Sequence, residues 1–476
     1  MTRKPNIILM NCDDLGYGDI ACYGSKLAST PTIDKMASEG IKFTDFYMAA
    51  SVCSPSRAAM LTGSYPLRIG FDRVMRPGDK NGLNPNEITI AKLLQDVGYS
   101  TSLIGKWHLG DQSEFLPLKF GFDSYYGLPY SNDMGRNNIE TKKSNLEYPD
   151  LPNQPPLPLM VGNEILQQQP DQRALTERYV DESLRFIRDN QNNPFFLYFA
   201  HMYTHRPQYV PKHALQKTTH GAYVAAVEQI DWSLNMILSE LKALSIEEDT
   251  LVIFTSDNGA SPLNMVHGAS NEPLRGGKGT TWEGGHRLPC IMKWKGHMDE
   301  GKVCSELVTA MDYLPTIAKL SGAKIPTDRT IDGKDISHSF QNTENFRSPH
   351  EAFYYYRGGD LEAVRQGKWK LRISSNNLNN QTFHQRAFAD STDGLELFDL
   401  ETDISESENL AKQNTNIVKR LELLMEHCRI DIGDQSRMVK GNDCRPIGQV
   451  NDARPLTEYD PDHPYMISMY DLDPDY

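Results

Sequence analysis

The sequence predicts an α/β fold in which a large, mostly parallel sheet lies between layers of helices. Three observations predict it. Short apolar runs are typical of buried strands, helical segments alternate with these runs, and polar residues follow several of the runs directly. Ligand sites in open α/β sheets lie outside the carboxyl ends of the strands, so these polar residues indicate a functional site. With 476 residues, the chain is long enough for a large core and more than one subdomain.

The N-terminal region, residues 1–347, carries the elements predicted for the large sheet. Apolar runs at 6–10, 100–104, 194–199 and 250–255 predict its strands. The first helix is predicted to follow an N-cap at Thr30, with Pro31 at its first position and Gly40 closing it. Further helices are predicted at 87–97, which Gly98 ends, and at 171–189, 221–244 and 311–320, the last closed by Gly322.

Residues 348–476 predict a smaller C-terminal α+β subdomain. Short runs at 353–357, 361–366, 369–373 and 395–398 predict a small antiparallel sheet, and 417–428 predicts an amphipathic helix. From residue 431 onward the chain is rich in proline and acidic residues. We expect a solvated surface loop there, with a tail that wraps the mouth of the site as the alternative.

Composition and charge exclude several classes of partner. A net charge of −14 argues against nucleic acid and against an anionic membrane surface, because both favour a basic face. No apolar run approaches the roughly 20 residues that a membrane-spanning helix needs. Beyond Cys53, six cysteines permit disulfides without requiring them. The chain runs almost directly into its first strand, so we expect a periplasmic or secreted protein whose export signal has been trimmed, and a cytoplasmic location stays open.

Two acidic segments at strand ends predict a site for a hard cation. Asp13 and Asp14 follow the first predicted strand, and Asp257 and Asn258 follow another. Three carboxylates and an amide form an oxygen ligand set suited to Ca²⁺ or Mg²⁺ rather than to zinc. Each pair taken alone is also ordinary turn or helix-cap chemistry.

Cys53 lies where a polar segment turns into a predicted helix, with Arg57 one turn further on. Helix N-terminal amides and a nearby guanidinium lower a thiol pKa, so these neighbours predict a nucleophilic group that faces a cleft. The spacing does not say which reaction follows.

The whole segment from Ser51 to Gly63, with Cys-x-Pro-Ser-Arg followed by Ala-Ala-Met-Leu-Thr-Gly, resembles the signature of the type I sulfatases of the alkaline phosphatase superfamily. Residues 98–110 resemble the second sulfatase signature. The acidic pair at 13–14, Ser-Asp-Asn-Gly at 256–259, the His-x-Pro at 205–207 and the lysine loop at 274–285 occur in family order. The chain is therefore identified as a member of this family, in its arylsulfatase A-like branch.

The resemblance implies a formylglycine enzyme with one Ca²⁺ per chain. Cys53 would be oxidised by a formylglycine-generating maturation enzyme, and its hydrated aldehyde would attack the sulfur of a sulfate ester. A second hydroxyl would then release sulfate. The implied catalytic residues are Cys53, Arg57, Lys106, His108, His205 and Lys278. The implied metal ligands are Asp13, Asp14, modified Cys53, Asp257 and Asn258.

Roles within this set follow the charge that the reaction develops. Arg57, Lys106, Lys278 and calcium would stabilise negative charge around sulfur. By resemblance, Lys278 and His205 would lie near the leaving oxygen, with His205 as the favoured acid, and His108 would assist the hydrate. His108 follows Lys106 by two residues in a segment predicted to be extended, so both would face one cavity. His201 is interpreted as structural or adjacent to substrate.

The branch implies a sulfated carbohydrate as substrate, cleaved in an exo manner. We expect substrate contacts from Lys106, His205 and Lys278, joined by Asn132, Asp133, Arg136 and His267 from loops. The sequence leaves the sugar, the sulfate position and the oligomeric state open.

Three alternatives remain at this stage. A two-zinc phosphatase would need further Asp and His ligands that the sequence does not place. A formylglycine-dependent phosphodiesterase or phosphonate hydrolase would share the same motifs. A catalytically silent protein that binds sulfated glycans on this scaffold would not need the complete catalytic set.

Overall fold

The structure is a computed structural model that describes residues 4–135, 154–374, 394–460, 462–463 and 465. Within these residues the large sheet has 11 strands, most of them paired in parallel, which confirms the predicted fold class. Its strands in spatial order are Lys302–Cys304, Ile41–Tyr47, Arg287–Lys293, Thr250–Ser256, Asn6–Cys12, Phe195–Ala200, Ser100–Lys106, Ser124–Leu128, Pro158–Val161 and Glu164–Gln168, with Val308–Thr309 beside Ile41–Tyr47.

Helices cover both faces of this sheet. Along strand Asn6–Cys12, Ile7 and Leu9 belong to one hydrophobic cluster, whereas Ile8 and Met10 belong to another. Alternate residues of a strand point to opposite faces, so the sheet is buried on both sides. The longer helices of the described chain are Pro31–Ser38, Cys53–Thr62, Ile90–Gln95, Leu175–Asp189, Gly221–Ala243, Tyr313–Ser321 and Thr415–Asp431, and short helices are Lys212–Leu215, Pro262–Met265 and Glu283–His286.

Most predicted elements occur within one or two residues of their predicted bounds. The helix predicted at 417–428 extends three residues further, to Asp431, and two other helices differ at their starts or are shorter. The helix predicted at 87–97 spans only Ile90–Gln95, because the side chain of Thr89 accepts a hydrogen bond from the Lys92 N–H and caps the helix there. The helix predicted at 171–189 begins with a 3₁₀ turn, Gln172–Ala174, before the α-helix Leu175–Asp189. Neither difference moves a residue of the predicted site.

The C-terminal region contains the predicted antiparallel sheet. Its strands, Phe353–Arg357, Asp360–Gln366, Trp369–Ser374 and Gly394–Asp399, pair in sequence order. Helix Thr415–Asp431 packs on this sheet and shares a hydrophobic cluster with it. The division of the chain at residue 347/348 stays a prediction.

The described tail lies largely on the surface, as expected, but parts of it are held against the larger domain. Gly448–Gln449 pairs as a short antiparallel strand with Asn81–Gly82. Nearby, Arg445 donates from Nε to Oε1 of Glu87 at 2.7 Å. The loss of chain entropy is offset by these pairings, which tie the tail to the larger domain.

All seven cysteines lie within the described residues, and each carries a free thiol. The disulfides that the even count permitted are therefore not formed. None of the helices described is both long enough and apolar enough to cross a lipid bilayer.

Candidate active site

The carboxyl edge of the large sheet brings the two acidic segments together. Strands Asn6–Cys12 and Thr250–Ser256 are parallel neighbours whose last residues lie opposite each other. Asp13 and Asp257 therefore leave the sheet side by side. The backbone then turns at Asp14, which has a φ of 61°, and its N–H donates to Oδ1 of Asp257 at 3.1 Å.

Cys53 begins helix Cys53–Thr62 and is enclosed beside the first acidic segment. Its Sγ lies 3.5 Å from Oδ1 of Asp13, and the residue is 2% exposed. Burial raises the pKa of the thiol, and the positive charges of Lys106 and Lys278 oppose this effect without cancelling it. The expectation of a lowered thiol pKa is thus wrong, because the loss of water outweighs the helix terminus. The encoded thiol is neutral near pH 7.

Arg57 links three parts of the site from a fully buried position. Its Nε donates to Oδ2 of Asp257 at 2.9 Å, and its Nη1 donates to the main-chain oxygen of Lys106 at 3.0 Å. Its Nη2 lies 3.7 Å from Oδ2 of Asp13. Burial raises the pKa of Asp257, the charge of Asp13 raises it further, and Arg57 opposes both.

Lys106 ends strand Ser100–Lys106 with its ammonium inside the cluster. Its Nζ donates to Oδ2 of Asp13 at 2.6 Å and to Oγ of Ser131 at 3.2 Å. Burial alone would raise the pKa of Asp13. The positive charges of Lys106 and Arg57 hold that pKa below its ordinary value, so Asp13 is an ionised carboxylate.

Asp14 is bound by side chains from two other segments. Nζ of Lys278 lies 2.6 and 2.8 Å from its two carboxylate oxygens, and Nδ2 of Asn258 donates to Oδ1 at 2.7 Å. Burial raises the pKa of Asp14, but Lys278 outweighs burial and lowers it overall. The two ligand segments and the lysine loop therefore meet at one carboxylate.

His108 is buried and holds a neutral imidazole. Its Nε2 lies 3.0 Å from the carbonyl oxygen of Met75, which can only accept, so Nε2 carries the proton. Its Nδ1 has no hydrogen-bond partner among the described residues. Burial lowers the pKa of His108, as do the charges of Lys106 and Arg57. The segment was predicted to be extended, but the backbone is not extended at His108, which has a φ of 66°.

His205 is the more accessible histidine of the site. Its side chain is 11% exposed, and its Nε2 lies 3.9 Å from Oδ2 of Asp14. Its Nδ1 donates to the Arg206 carbonyl oxygen at 2.7 Å, which leaves Nε2 for the site. The strand ends before His201, so this residue does not share an extended face with His205. His201 is buried, lies 3.3 Å from Oγ of Ser233 and packs between aromatic rings.

The residues present fit a hard cation. Single ligand atoms of Asp13, Asp14, Cys53 and His205 lie within 4.8 Å of one another. Oδ1 of Asn258 is buried and has no hydrogen-bond partner among the described residues. A buried amide oxygen without a donor is costly unless a cation faces it, so this atom fits a ligand role.

The four loop residues predicted to bind substrate are not equally placed. Asn132 is buried and its Nδ2 donates to Gln172 and to the Pro207 carbonyl at 3.0 and 3.1 Å. Asp133 is half-buried on the same turn, and Arg136 lies outside the described residues. His267 lines a cavity of about 370 Å³ together with Leu27, Gln208, His220, Tyr223 and Val266.

Ser131 is a site residue that the sequence reasoning missed. Its Oγ lies 3.2 Å from Nζ of Lys106 and 3.3 Å from each ring nitrogen of His205. A signal was available, because Ser131 follows strand Ser124–Leu128, the parallel neighbour of Ser100–Lys106. A polar residue at the same carboxyl edge could have been included on that ground.

Comparisons with known proteins agree on one family. The model of the family described as sulfatase matches residues 5–323, and the model described as the C-terminal region of aryl-sulfatase matches residues 348–451. Arylsulfatase A of Homo sapiens is 36% identical over 86% of this chain and 84% of its own length. N-acetylgalactosamine-6-sulfatase of Rattus norvegicus is 39% identical over 78% of this chain and 72% of its own length. The crystal structure of Ps i-CgsB in complex with k-i-k-neocarrahexaose has a TM-score of 0.73 at 32% identity, over 89% of this chain and 92% of that one.

The doubly covered α/β sheet and the small antiparallel sheet match the alkaline-phosphatase-like fold of sulfatases. The chain belongs to the sulfatase family and resembles arylsulfatase A within it. It is a sulfatase, an enzyme that hydrolyses sulfate esters.

Proposed function

We propose that this protein removes sulfate from a sulfated saccharide by a formylglycine mechanism with one bound Ca²⁺. The observation that carries the proposal is the position of Cys53, whose Sγ lies 3.5 Å from the ionised carboxylate of Asp13. Three cationic side chains, those of Arg57, Lys106 and Lys278, pack around the same acidic cluster. A neutral, enclosed thiol is a poor nucleophile, which supports its role as the precursor of another group.

The charges of the cluster support an anionic substrate. Asp13, Asp14 and Asp257 are balanced by the three cations when all six groups are ionised. A divalent cation on the carboxylates then leaves the site positive, and a sulfate monoester supplies the opposite charge. When bound, Ca²⁺ would orient the nucleophile and withdraw charge from a sulfate oxygen. Asp13, Asp14, Asp257, Asn258 and modified Cys53 are the proposed ligands.

The hydrated aldehyde at position 53 would supply an oxygen that attacks sulfur and a second hydroxyl whose deprotonation releases sulfate. Nδ1 of His108 carries a free lone pair and is the proposed acceptor of a hydroxyl proton. Lys106 and Arg57 would stabilise the charge on the sulfate oxygens. When the ring of His205 is protonated on both nitrogens, its Nε2 would give a proton to the leaving oxygen, with Lys278 beside it.

A saccharide substrate is supported by the printed names of relatives, one an N-acetylgalactosamine-6-sulfatase and one bound to neocarrahexaose. Lys106, His205 and Lys278 would contact the sulfate, and Asp133 and His267 are proposed contacts to the sugar. Asn132 would act by holding its turn, because its amide nitrogen is already bonded. The maturation enzyme is the second proposed partner, and a periplasmic or secreted location is proposed with it.

Peptide mass spectrometry across Cys53 tests the central step. Conversion to formylglycine lowers the peptide mass by about 18 Da. The peptide that contains Cys428, a second buried thiol, should keep its encoded mass in the same sample. A host with the maturation enzyme should give the shifted peptide, and an unshifted peptide from that host would contradict the formylglycine mechanism.

A substrate panel then separates the remaining alternatives. Matched sulfate and phosphate esters of the same sugar and of the same phenol should show faster hydrolysis of the sulfates. Preference for the phosphate diester would support the phosphodiesterase, and no turnover from a fully converted sample would support a silent binding protein. Release of single sulfates from chain ends, measured on sulfated oligosaccharides, tests the exo assignment.

A further inference from the structure

The loop that carries Lys278 is held to the segment before Cys53 by its main chain. The lysine loop comprises residues 274–285. In it, the Lys278 N–H donates to the Ala260 carbonyl at 3.1 Å, and the Gly279 N–H donates to the Ser51 carbonyl at 2.8 Å. Gly279 has a φ of 79°, and the loop contains five glycines, so it has few side chains with which to hold its own shape.

Side chains of the C-terminal region hold the opposite side of this loop. Lys370, on strand Trp369–Ser374, is fully buried, and its Nζ donates to the Thr281 carbonyl at 2.8 Å and to Oε1 of Glu283 at 2.9 Å. The same Nζ lies 2.7 Å from Oε1 of Glu406. One ammonium therefore joins the loop to the chain beyond the small sheet.

Two carboxylates complete this attachment. Oε2 of Glu406 accepts the main-chain N–H of Glu283 at 2.7 Å. Oε2 of Glu362, on strand Asp360–Gln366, accepts the hydroxyl proton of Thr281 at 2.7 Å. Hydrogen bonds to buried carboxyl oxygens have well-defined directions, so they fix the backbone at 281 and 283.

Trp282 lies between two arginine side chains, one from the lysine loop and one from the C-terminal region. Its ring lies 3.8 Å from the guanidinium carbon of Arg275 on one hand and 3.9 Å from that of Arg372 on the other. It also packs edge-on against Phe398 of the small sheet. Three consecutive residues, 281 to 283, are thus each bound to the C-terminal region.

We propose that Lys370, Glu362 and Glu406 are positioning residues that place the ammonium of Lys278 at the leaving-group side of the active site. The proposal rests on the role of Lys278 given under the proposed function. Thr281 lies three positions after Lys278 in the chain, so a shift at the bound segment moves the ammonium. Displacement of a reacting group by about 1 Å can cost about 100-fold in rate.

Two variants with matched partners test the proposal. Thr281→Val removes the hydroxyl that Glu362 accepts while keeping the side-chain shape, and Thr281→Ser restores the hydroxyl. Lys370→Met removes the ammonium, and Lys370→Arg retains a cation. Arg429→Met is the control, because Arg429 forms a buried pair with Asp434 at 2.8 Å in the C-terminal region.

The readouts are the kcat and KM for 4-nitrophenyl sulfate, each normalised to the formylglycine content of the sample, and the thermal midpoint. We expect Thr281→Val to lower kcat by about tenfold with KM changed less than about twofold, because a transition-state contact is lost. Thr281→Ser should recover most of that loss. Lys370→Met should lower kcat by more than Thr281→Val does. Arg429→Met should lower the thermal midpoint with kcat retained.

The proposal is overturned if Thr281→Val and Lys370→Met both keep a kcat within about twofold of that of the unsubstituted enzyme, while Lys278→Ala is inactive. Loss of kcat in Arg429→Met equal to that in Thr281→Val would also overturn it, because the effect would then be one of stability alone. A fully active Lys278→Ala would instead remove the premise, which is a failure of the proposed function.

Discussion

The guanidinium of Arg57 and the carboxylate of Asp257 form a fully buried ion pair across 200 positions of the sequence. Nε and Nη2 of Arg57 lie 2.9 and 2.8 Å from Oδ2 of Asp257. One partner belongs to the helix that begins at Cys53, and the other follows a strand of the large sheet. The pair therefore sets the distance between the helix that begins at Cys53 and the proposed metal ligands.

Arg57→Ala should destabilise the protein and abolish turnover. Removal of one partner leaves the Asp257 charge buried without compensation, which costs about 3–5 kcal/mol. Urea unfolding at pH 7 measures the loss of stability, and kcat per formylglycine measures the loss of activity. Arg429→Ala, at another buried pair, should lose stability but retain kcat; equal inactivation of both variants would argue against a local role for Arg57.

Asp257→Ala should lose bound calcium and activity together, because Asp257 is one of the proposed ligands and lies against Arg57. Elemental analysis of the purified protein gives the calcium content per chain, and hydrolysis of an aryl sulfate gives the activity. Asp312→Ala is the matched control, since Asp312 is buried but binds His350 at 2.8 Å instead. Normal calcium in Asp257→Ala would remove this residue from the ligand set.

Ser131→Ala should lower kcat/KM by about fivefold. The hydroxyl contacts Nζ of Lys106 at 3.2 Å and the ring of His205 at 3.3 Å, and one such hydrogen bond contributes about 1 kcal/mol. Initial rates at low substrate concentration measure the effect. Ser113→Ala, at an exposed 3₁₀ turn, serves as control. An unchanged kcat/KM in Ser131→Ala would show that this hydroxyl does not orient the side chains of Lys106 and His205.

His201→Gln should make the free energy of unfolding fall less steeply as the pH is lowered. Burial lowers the pKa of His201 to about 3, so between about pH 6.5 and pH 3 the unfolded chain binds a proton that the folded chain does not. The contribution of His201 to stability is thus fully present above about pH 6.5 and is lost as the pH falls, by up to about 1.4 kcal/mol per pH unit.

The unfolding free energy in urea, measured at pH 7 and at pH 5, tests this sign. The difference between the two pH values should be about 1–2 kcal/mol smaller in His201→Gln than in the unmodified protein. His213→Gln, at an exposed histidine, should leave the difference unchanged. An equal pH dependence in all three proteins would contradict a buried, neutral His201.

The sequence predicted the sheet better than it predicted the pairings of the tail. Strands such as Thr250–Ser256 carry buried apolar residues along their whole length, and this pattern is local. The pairing of Gly448–Gln449 with Asn81–Gly82 uses main-chain groups of residues with no distinctive side-chain pattern. This pairing depends on where two segments that are far apart in the sequence come to lie in space, which is not a local property.

The candidate site shows the same division. The motifs located Cys53 and Lys278, but the raised pKa of the Cys53 thiol follows from burial by segments far away in the sequence. Ser131 was missed for a similar reason, since its two partners lie 25 and 74 positions away. The position of His267 on a cavity wall also depends on tertiary packing, because its loop carries no strand or helix period.

The order of the strands has a consequence for the maturation of the protein during synthesis. Within the described part of the chain, strand Asn6–Cys12 pairs with strands that begin at residues 195 and 250, so the pocket around Cys53 cannot close while the chain is still short. About 200 residues must be added between Arg57 and its partner Asp257, which takes about 10–40 s at roughly 5–20 residues per second. For that interval Cys53 lies on an incompletely folded chain, where the proposed maturation enzyme would reach a side chain that the finished fold encloses.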